Sequence, residues 1–209
     1  MKKNNAMPWW GWFTWLFVVA LGLIAYTHLP AQVVGKGDRM TPRLLVVLYE
    51  PAIMLGIILL WHVLWRIDPK KRNYESFWST YRYIGGVIVV LTGGVYLVTL
   101  GHVLNIASMR FVPTAIGIVF MLIANVSPRI QQNWWIGFRT PWTLSSPESW
   151  NRTHRLAGQL GIPMGIFIII LAWVLPTNSM MKLAILVPIL LWVFVAVVAS
   201  YFYAKQNDD

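Results

Sequence analysis

Cysteine is absent from the 209 residues, which excludes a disulfide framework and thiolate chemistry alike. Charge is scarce as well: 11% of the chain is charged against 57% hydrophobic, a balance foreign to an ordinary soluble domain. Acidic residues are fewest, seven against seventeen Lys and Arg, for a net charge of +10. That excess does not describe a nucleic-acid surface, because the basic residues cluster between apolar runs rather than on one soluble face. The positive-inside bias of a multispanning protein accounts for it, and no direct nucleic-acid contact is expected. Also missing are G-x-S-x-G, H-E-x-x-H, a Walker loop and a G-x-G-x-x-G between strand and helix. No catalytic residue and no cofactor is therefore assigned. No internal repeat, low-complexity tract or soluble domain is visible, and residues 1–209 read as one integral membrane domain.

What the chain has is apolar runs of the length that crosses a bilayer, about 20 residues each. They cover Trp9–Leu29, Leu44–Trp65, Tyr81–Leu104, Phe111–Val126, Leu156–Leu175 and Met181–Tyr203, the fourth being short. The first follows Lys2 and Lys3, is too long for a signal-peptide core and lacks a clear cleavage site, so it reads as a retained span. The predicted fold is all-α, a polytopic membrane protein of about six helices. Twelve Lys and Arg fall on the side that holds both termini, and five on the other. This asymmetry predicts cytoplasmic N- and C-termini.

Small residues mark helix contacts. Gly85, Gly86, Gly93, Gly94 and Gly101 recur at spacings of seven and eight along one face of the third span. Gly158, Gly161, Pro163 and Gly165 crowd the fifth. Both sets read first as close-packing signals.

Intramembrane polar residues are few. Glu50 lies six residues into the second span, about 9 Å along the helix. His28 ends the first span and His102 nears the end of the third, on the same side of the membrane. An intramembrane carboxylate is costly unless paired. Glu50 either pairs with Arg43 or a histidine and locks helices, or it serves a function. A metal site of His28, Glu50 and His102 is conceivable in ligand type, but no spacing supports it, and no metal is assigned.

The longest polar interruption runs from Asn125 to Gly158 and holds four of the thirteen tryptophans. The charge asymmetry places it at the cytoplasmic face. Trp134, Trp135, Trp142 and Trp150 read as an interfacial belt that holds it against the membrane. Ser146 before Pro147, or Ser145 with Glu148, predicts a helix start that runs through Trp150 into the fifth span. Trp150 and His154 then share one face, and Arg152, Arg155 and Gln159 another. The preceding Gly137–Leu144 stretch could bind a lipid phosphate, a carboxylate or a partner protein through Arg139, or simply turn beneath lipid headgroups.

The pattern N-x-x-P-R-x-x-x-N-x-x-x-G-x-R-T-P-W-T-L-S, followed by W-x-x-T-H-R-x-x-G, resembles the signature of SdpI-type bacterial immunity membrane proteins. Its positions are Asn125, Pro128, Asn133, Gly137, Arg139, Thr140, Pro141, Trp142, Thr143, Leu144, Trp150, Thr153, His154, Arg155 and Gly158. The first loop is less similar: Leu29–Asp38 keeps Pro30, glycine and Asp38 but has no histidine inside. The resemblance implies a multi-pass protein of the bacterial cell membrane, without enzymatic activity, that protects against a secreted toxin peptide. It further implies signalling by capture of a cytoplasmic repressor. Arg139, Trp142, His154 and Arg155 are the first expected contributors to a functional surface. The rival reading is a membrane enzyme or carrier for a lipid-linked or anionic substrate, with Arg139, Arg152 and Arg155 clamping phosphate and His154 moving protons. A purely structural reading has the signature holding the fourth and fifth spans in register.

Overall fold

The computed structural model describes residues 5–34, 40–176 and 178–206. Lys2, Lys3 and the Gly35–Asp38 portion of the first loop lie outside the described residues. Seven helices follow one another: α1 (Trp9–His28), α2 (Arg43–Ile67), α3 (Tyr74–Val103), α4 (Phe111–Val126), α5 (Pro141–Ser145), α6 (Pro147–Val174) and α7 (Asn178–Lys205). All but the short α5 lie in segments long and apolar enough to cross a membrane. The all-α, six-span expectation holds, and α4 has the bounds read from the sequence. Two short strands, β1 (Gln32–Val34) and β2 (Met40–Pro42), pair antiparallel between α1 and α2, with Val33 opposite Thr41.

The helices turn apolar side chains outward as well as inward, as expected where lipid replaces water. Leu16, Phe17, Leu190 and Phe194 are all exposed. Two sets of three helices result. Helices α1, α2 and α3 pack on one another, as do α4, α6 and α7, and α3 meets α4 between them.

Small residues set the contacts, as the glycine pattern predicted. A Cβ on Gly117 of α4 would stand 2.7 Å from the carbonyl oxygen of Gly165, and one on Gly165 would meet that of Gly117 at the same distance. The two backbones therefore cross at a separation that no larger side chain permits. In α3 the single-face expectation is corrected. Gly85 faces Trp61 of α2, Gly86 faces Trp10 of α1, and Gly93 meets Val18 of α1 and Met54 of α2. Gly94 faces open space, and Gly101 packs on Ala107 in the turn that follows. Neighbouring positions on a helix are about 100° apart, so the pairs diverge to different partners.

The Glu50–Pro51 interruption is absorbed inside α2. Proline lacks the N–H that would bond the Val47 carbonyl, and the Tyr96 hydroxyl of α3 donates to that carbonyl instead, at 3.4 Å. α3 begins seven residues before the expected span. Its first turn extends past the apolar run because Tyr74 and Phe77 are buried at its base, and backbone angles at Phe77 (φ −128°, ψ 25°) kink the helix there. Nearby, Trp61 and Tyr81 stack at 4.8 Å, and each side chain donates a hydrogen bond to the other's carbonyl. This cluster fixes the end of the first trio at which the 125–158 segment docks.

Candidate functional site

The polar segment is a folded cap laid across one end of both helix trios. It leaves α4 through a single 3-10 turn at Ser127–Arg129. Asn133, fully buried, then closes a tight turn on itself. Its Oδ1 accepts from the amides of Trp135 (2.8 Å) and Ile136 (2.7 Å), while its Nδ2 donates to the carbonyls of Gln131 and Ile136. An amide side chain offers both donor and acceptor, so asparagine alone satisfies four backbone groups there.

The next turn needs glycine. Gly137 has φ +107°, and a Cβ at that position would stand 2.1 Å from Nε2 of His154. The chain passes so close because the Phe138 amide donates to that nitrogen at 3.1 Å. The other ring nitrogen, Nδ1, lies 2.8 Å from the Trp150 carbonyl. An amide can only donate and a carbonyl can only accept, so the tautomer carries its proton on Nδ1. The imidazole also stacks on the Trp150 ring at 4.1 Å.

Thr140 caps α5 in a reciprocal box with Thr143, whose hydroxyl also reaches the Phe138 carbonyl at 2.6 Å. Ser146, not Ser145, caps α6 by accepting from the Ser149 amide at 3.2 Å. The helix runs on through Trp150, as the sequence indicated. On α7, Ser200 meets both caps: its hydroxyl lies 3.0 Å from that of Thr140, and its carbonyl accepts from Ser149 at 2.9 Å.

The signature residues therefore divide by depth. Asn133, Thr140, Thr143, Trp150, Thr153, His154 and Gly158 are buried. Trp150 donates through Nε1 to the Ile130 carbonyl at 2.7 Å, and a Cβ on Gly158 would meet the Ala124 carbonyl at 2.8 Å. The hydroxyl of Thr153 is buried with no hydrogen-bond partner. Leu144 and Trp142 are half-buried, the latter against Tyr201 at 5.3 Å. Asn125, Pro128, Arg139, Pro141 and Arg155 are exposed. Two expectations are corrected. His154 does not belong to a surface, because Trp150, Phe138 and Gly137 enclose it. Trp150 is not an interfacial tryptophan, since only Trp134 and Trp135 of the four reach the exterior substantially, at 45% and 39%.

The exposed edge is basic. The Arg139 guanidinium bonds the Trp134 carbonyl, Arg152 lies over the Tyr203 ring at 4.2 Å, and Arg155 and Gln159 are exposed. Beside Arg139 a cavity of about 470 Å³ opens among Ile123, Ile136, Phe138, Trp192 and Val197.

Several residues of this site carry no local signal. Buried Asp68, in the link between α2 and α3, accepts from the Trp134 amide (2.9 Å), the Tyr74 hydroxyl (2.7 Å) and the Lys70 amide (2.7 Å). Lys70 bonds the Gln132 side chain, Asn73 donates to the Gln132 carbonyl at 2.7 Å, and Gln132 in turn donates to the carbonyls of Thr143 and Leu144. Only the Asp68-Pro69 turn could have drawn attention to this link, and a turn does not disclose its partner.

The intramembrane trio does not converge. His102 points to the Ala107 carbonyl at 3.3 Å. Arg43 lies over the Tyr26 ring at 4.4 Å and donates to the Leu29 carbonyl at 3.3 Å. Among the described residues no three His, Cys, Asp or Glu side chains are grouped closely enough to hold a metal ion. Glu50 therefore does not pair with Arg43.

Comparison with known proteins agrees with the motif. Over 189 residues, 88% of this chain and 89% of the other, the sequence is 25% identical to a Bacillus subtilis (strain 168) protein named Immunity protein SdpI. No solved structure matches. The model of the SdpI/YfhL protein family matches residues 129–203, which hold most of the folded cap with α6 and most of α7, so the chain, with its six long apolar helices, is a multi-pass membrane protein similar to the SdpI type.

Proposed function

We propose that this chain is an immunity protein of the bacterial cell membrane that protects its cell from a secreted antimicrobial peptide. The likeness to a named immunity protein along 88% of the chain supports this reading most directly. The cap residues divide the work. Asn133, Gly137, Thr140, Thr143, Trp150 and His154 hold one backbone shape, and Arg139 and Arg155 stand outside it on a basic edge with Trp134 and Trp135.

That edge has the composition of a docking patch, with Arg and Trp at its exposed points. With the termini cytoplasmic, as the Lys and Arg asymmetry argues, it faces the cytoplasm and captures a repressor while the toxin occupies the protein. The enzyme reading gains no support, since both nitrogens of His154 are spent on backbone partners. A proton carrier must have one of them free.

The test is toxin challenge of sensitive cells with and without the chain, with the location of a fluorescently tagged repressor followed in the same cells. Survival together with movement of the repressor to the membrane is expected. Survival without movement would remove the signalling half, and unchanged killing would remove the proposal.

A further inference from the structure

Among the described residues Glu50 is the one carboxylate placed well inside a span, seven residues from the start of α2, or about 10 Å along its axis. It forms no hydrogen bond or ion pair with any described residue. Of its anticipated partners, Arg43 is committed to the Tyr26 ring and the Leu29 carbonyl and His102 to the Ala107 carbonyl. The neighbouring hydroxyls are spent too. Tyr96 donates to the carbonyl that Pro51 leaves free, and Thr99 donates to Val95 at 2.8 Å. What Glu50 faces is space. A cavity of about 680 Å³ lies between α2 and α3, and its lining includes Glu50, Tyr49, Leu45, Val46, Val95 and Tyr96. None of its lining residues is Lys, Arg or His.

An uncompensated carboxylate in an apolar setting is costly, and natural proteins keep one where a pathway or ligand uses it. The cavity falls within the size range of small-molecule sites, roughly 300–1,000 Å³. Its chemistry is one carboxylate, without a basic partner, set among mostly apolar side chains. We propose that the α2–α3 cavity is a binding site for a membrane-dissolved cationic amphiphile, whose ammonium or guanidinium meets Glu50 while its apolar body lies along Leu45, Val46 and Val95. A neutral or anionic amphiphile of the same length gains nothing from Glu50. The same chemistry is offered by a free alkylammonium or by a basic side chain on an inserted peptide. The proposal does not depend on the immunity reading, and toxin survival does not enter its test.

The test uses the full chain in phosphatidylcholine nanodiscs, with thermal unfolding followed during titration by dodecylammonium, dodecanol or dodecanoate. Dodecylammonium is expected to raise the unfolding midpoint of the wild type by a few degrees at saturation, and the other two are not. In Glu50→Gln the half-saturating concentration should rise by about ten-fold or more, the worth of one charge-assisted hydrogen bond. Glu50→Asp should keep the preference for the cation. Equal stabilisation of the wild type by dodecanol, or a Glu50→Gln response like the wild type's, would overturn the site. If Glu50→Gln does not fold, the wild-type comparison of cation with alcohol decides alone. To separate the two sources, a membrane-inserting peptide with a single lysine should compete with dodecylammonium if the site takes peptide side chains. Failure of that competition would restrict it to small amphiphiles.

Discussion

His154 holds the Phe138 amide at 3.1 Å through Nε2 while its Nδ1 bonds the Trp150 carbonyl at 2.8 Å, so one imidazole ties the cap to the helix beneath it. His154→Ala leaves the part-buried Phe138 amide without its partner and a gap beside Trp150. The orphaned amide costs at most about 1–3 kcal/mol, the penalty of a fully buried one. We expect a lower unfolding midpoint in detergent and reduced membrane accumulation, with any loss of function proportional to the loss of folded protein. A well-folded His154→Ala protein that is inactive would instead restore a chemical role for the ring.

Gly137→Ala tests the same contact from the other side. Its positive φ costs a non-glycine residue on the order of 1–3 kcal/mol, and the added methyl carbon would overlap His154. Thermal unfolding should show a loss at least as large as that of His154→Ala. The double variant should lose less than the two single losses added together, because both remove one interaction.

Asp68 joins the first helix trio to the cap. Asp68→Ala strips the acceptor from the Trp134 amide, the Tyr74 hydroxyl and the Lys70 amide; the buried Tyr74 hydroxyl left unpaired costs about 1–3 kcal/mol, and the two part-buried amides cost less. Trypsin should then cut faster after Arg139, since the preceding turn loses its anchor. Asp68→Asn keeps one carbonyl acceptor and should cut at an intermediate rate.

The absence of cysteine makes orientation directly measurable. Single cysteines placed at Arg155 and at Asn105 lie in segments at opposite ends of the bundle. In intact cells a membrane-impermeant maleimide should label Asn105→Cys and spare Arg155→Cys. The reverse pattern would put the cap outside.

Much of this fold was legible because bilayer thickness forces long apolar runs, and six of them stand out against the loops. The α6 start was also visible, since Ser146 and Pro147 are local cap signals. Burial was not. Trp150 reads as an interfacial tryptophan on composition, and only the tertiary fold shows its indole donating to Ile130 inside the core. Asp68 was equally opaque, because its partner Trp134 is 66 residues away and no spacing rule links them. The short β1–β2 pair and the divergence of Gly85 from Gly86 likewise depend on neighbours that periodicity does not name. Arg139 and Arg155 could be read as signature residues, but their exposure, in contrast to buried His154, came only with the structure.

The most direct measurement is survival of toxin-exposed cells carrying the wild type, the Arg139→Ala, Arg155→Ala double variant or neither, with equal amounts of each protein in the membrane. The wild type should protect, and the double variant should fold normally, bind to the membrane and lose repressor capture. Protection absent from the wild type would contradict the immunity reading. A double variant that still captures the repressor as well as the wild type would contradict the assignment of the working surface to the basic edge.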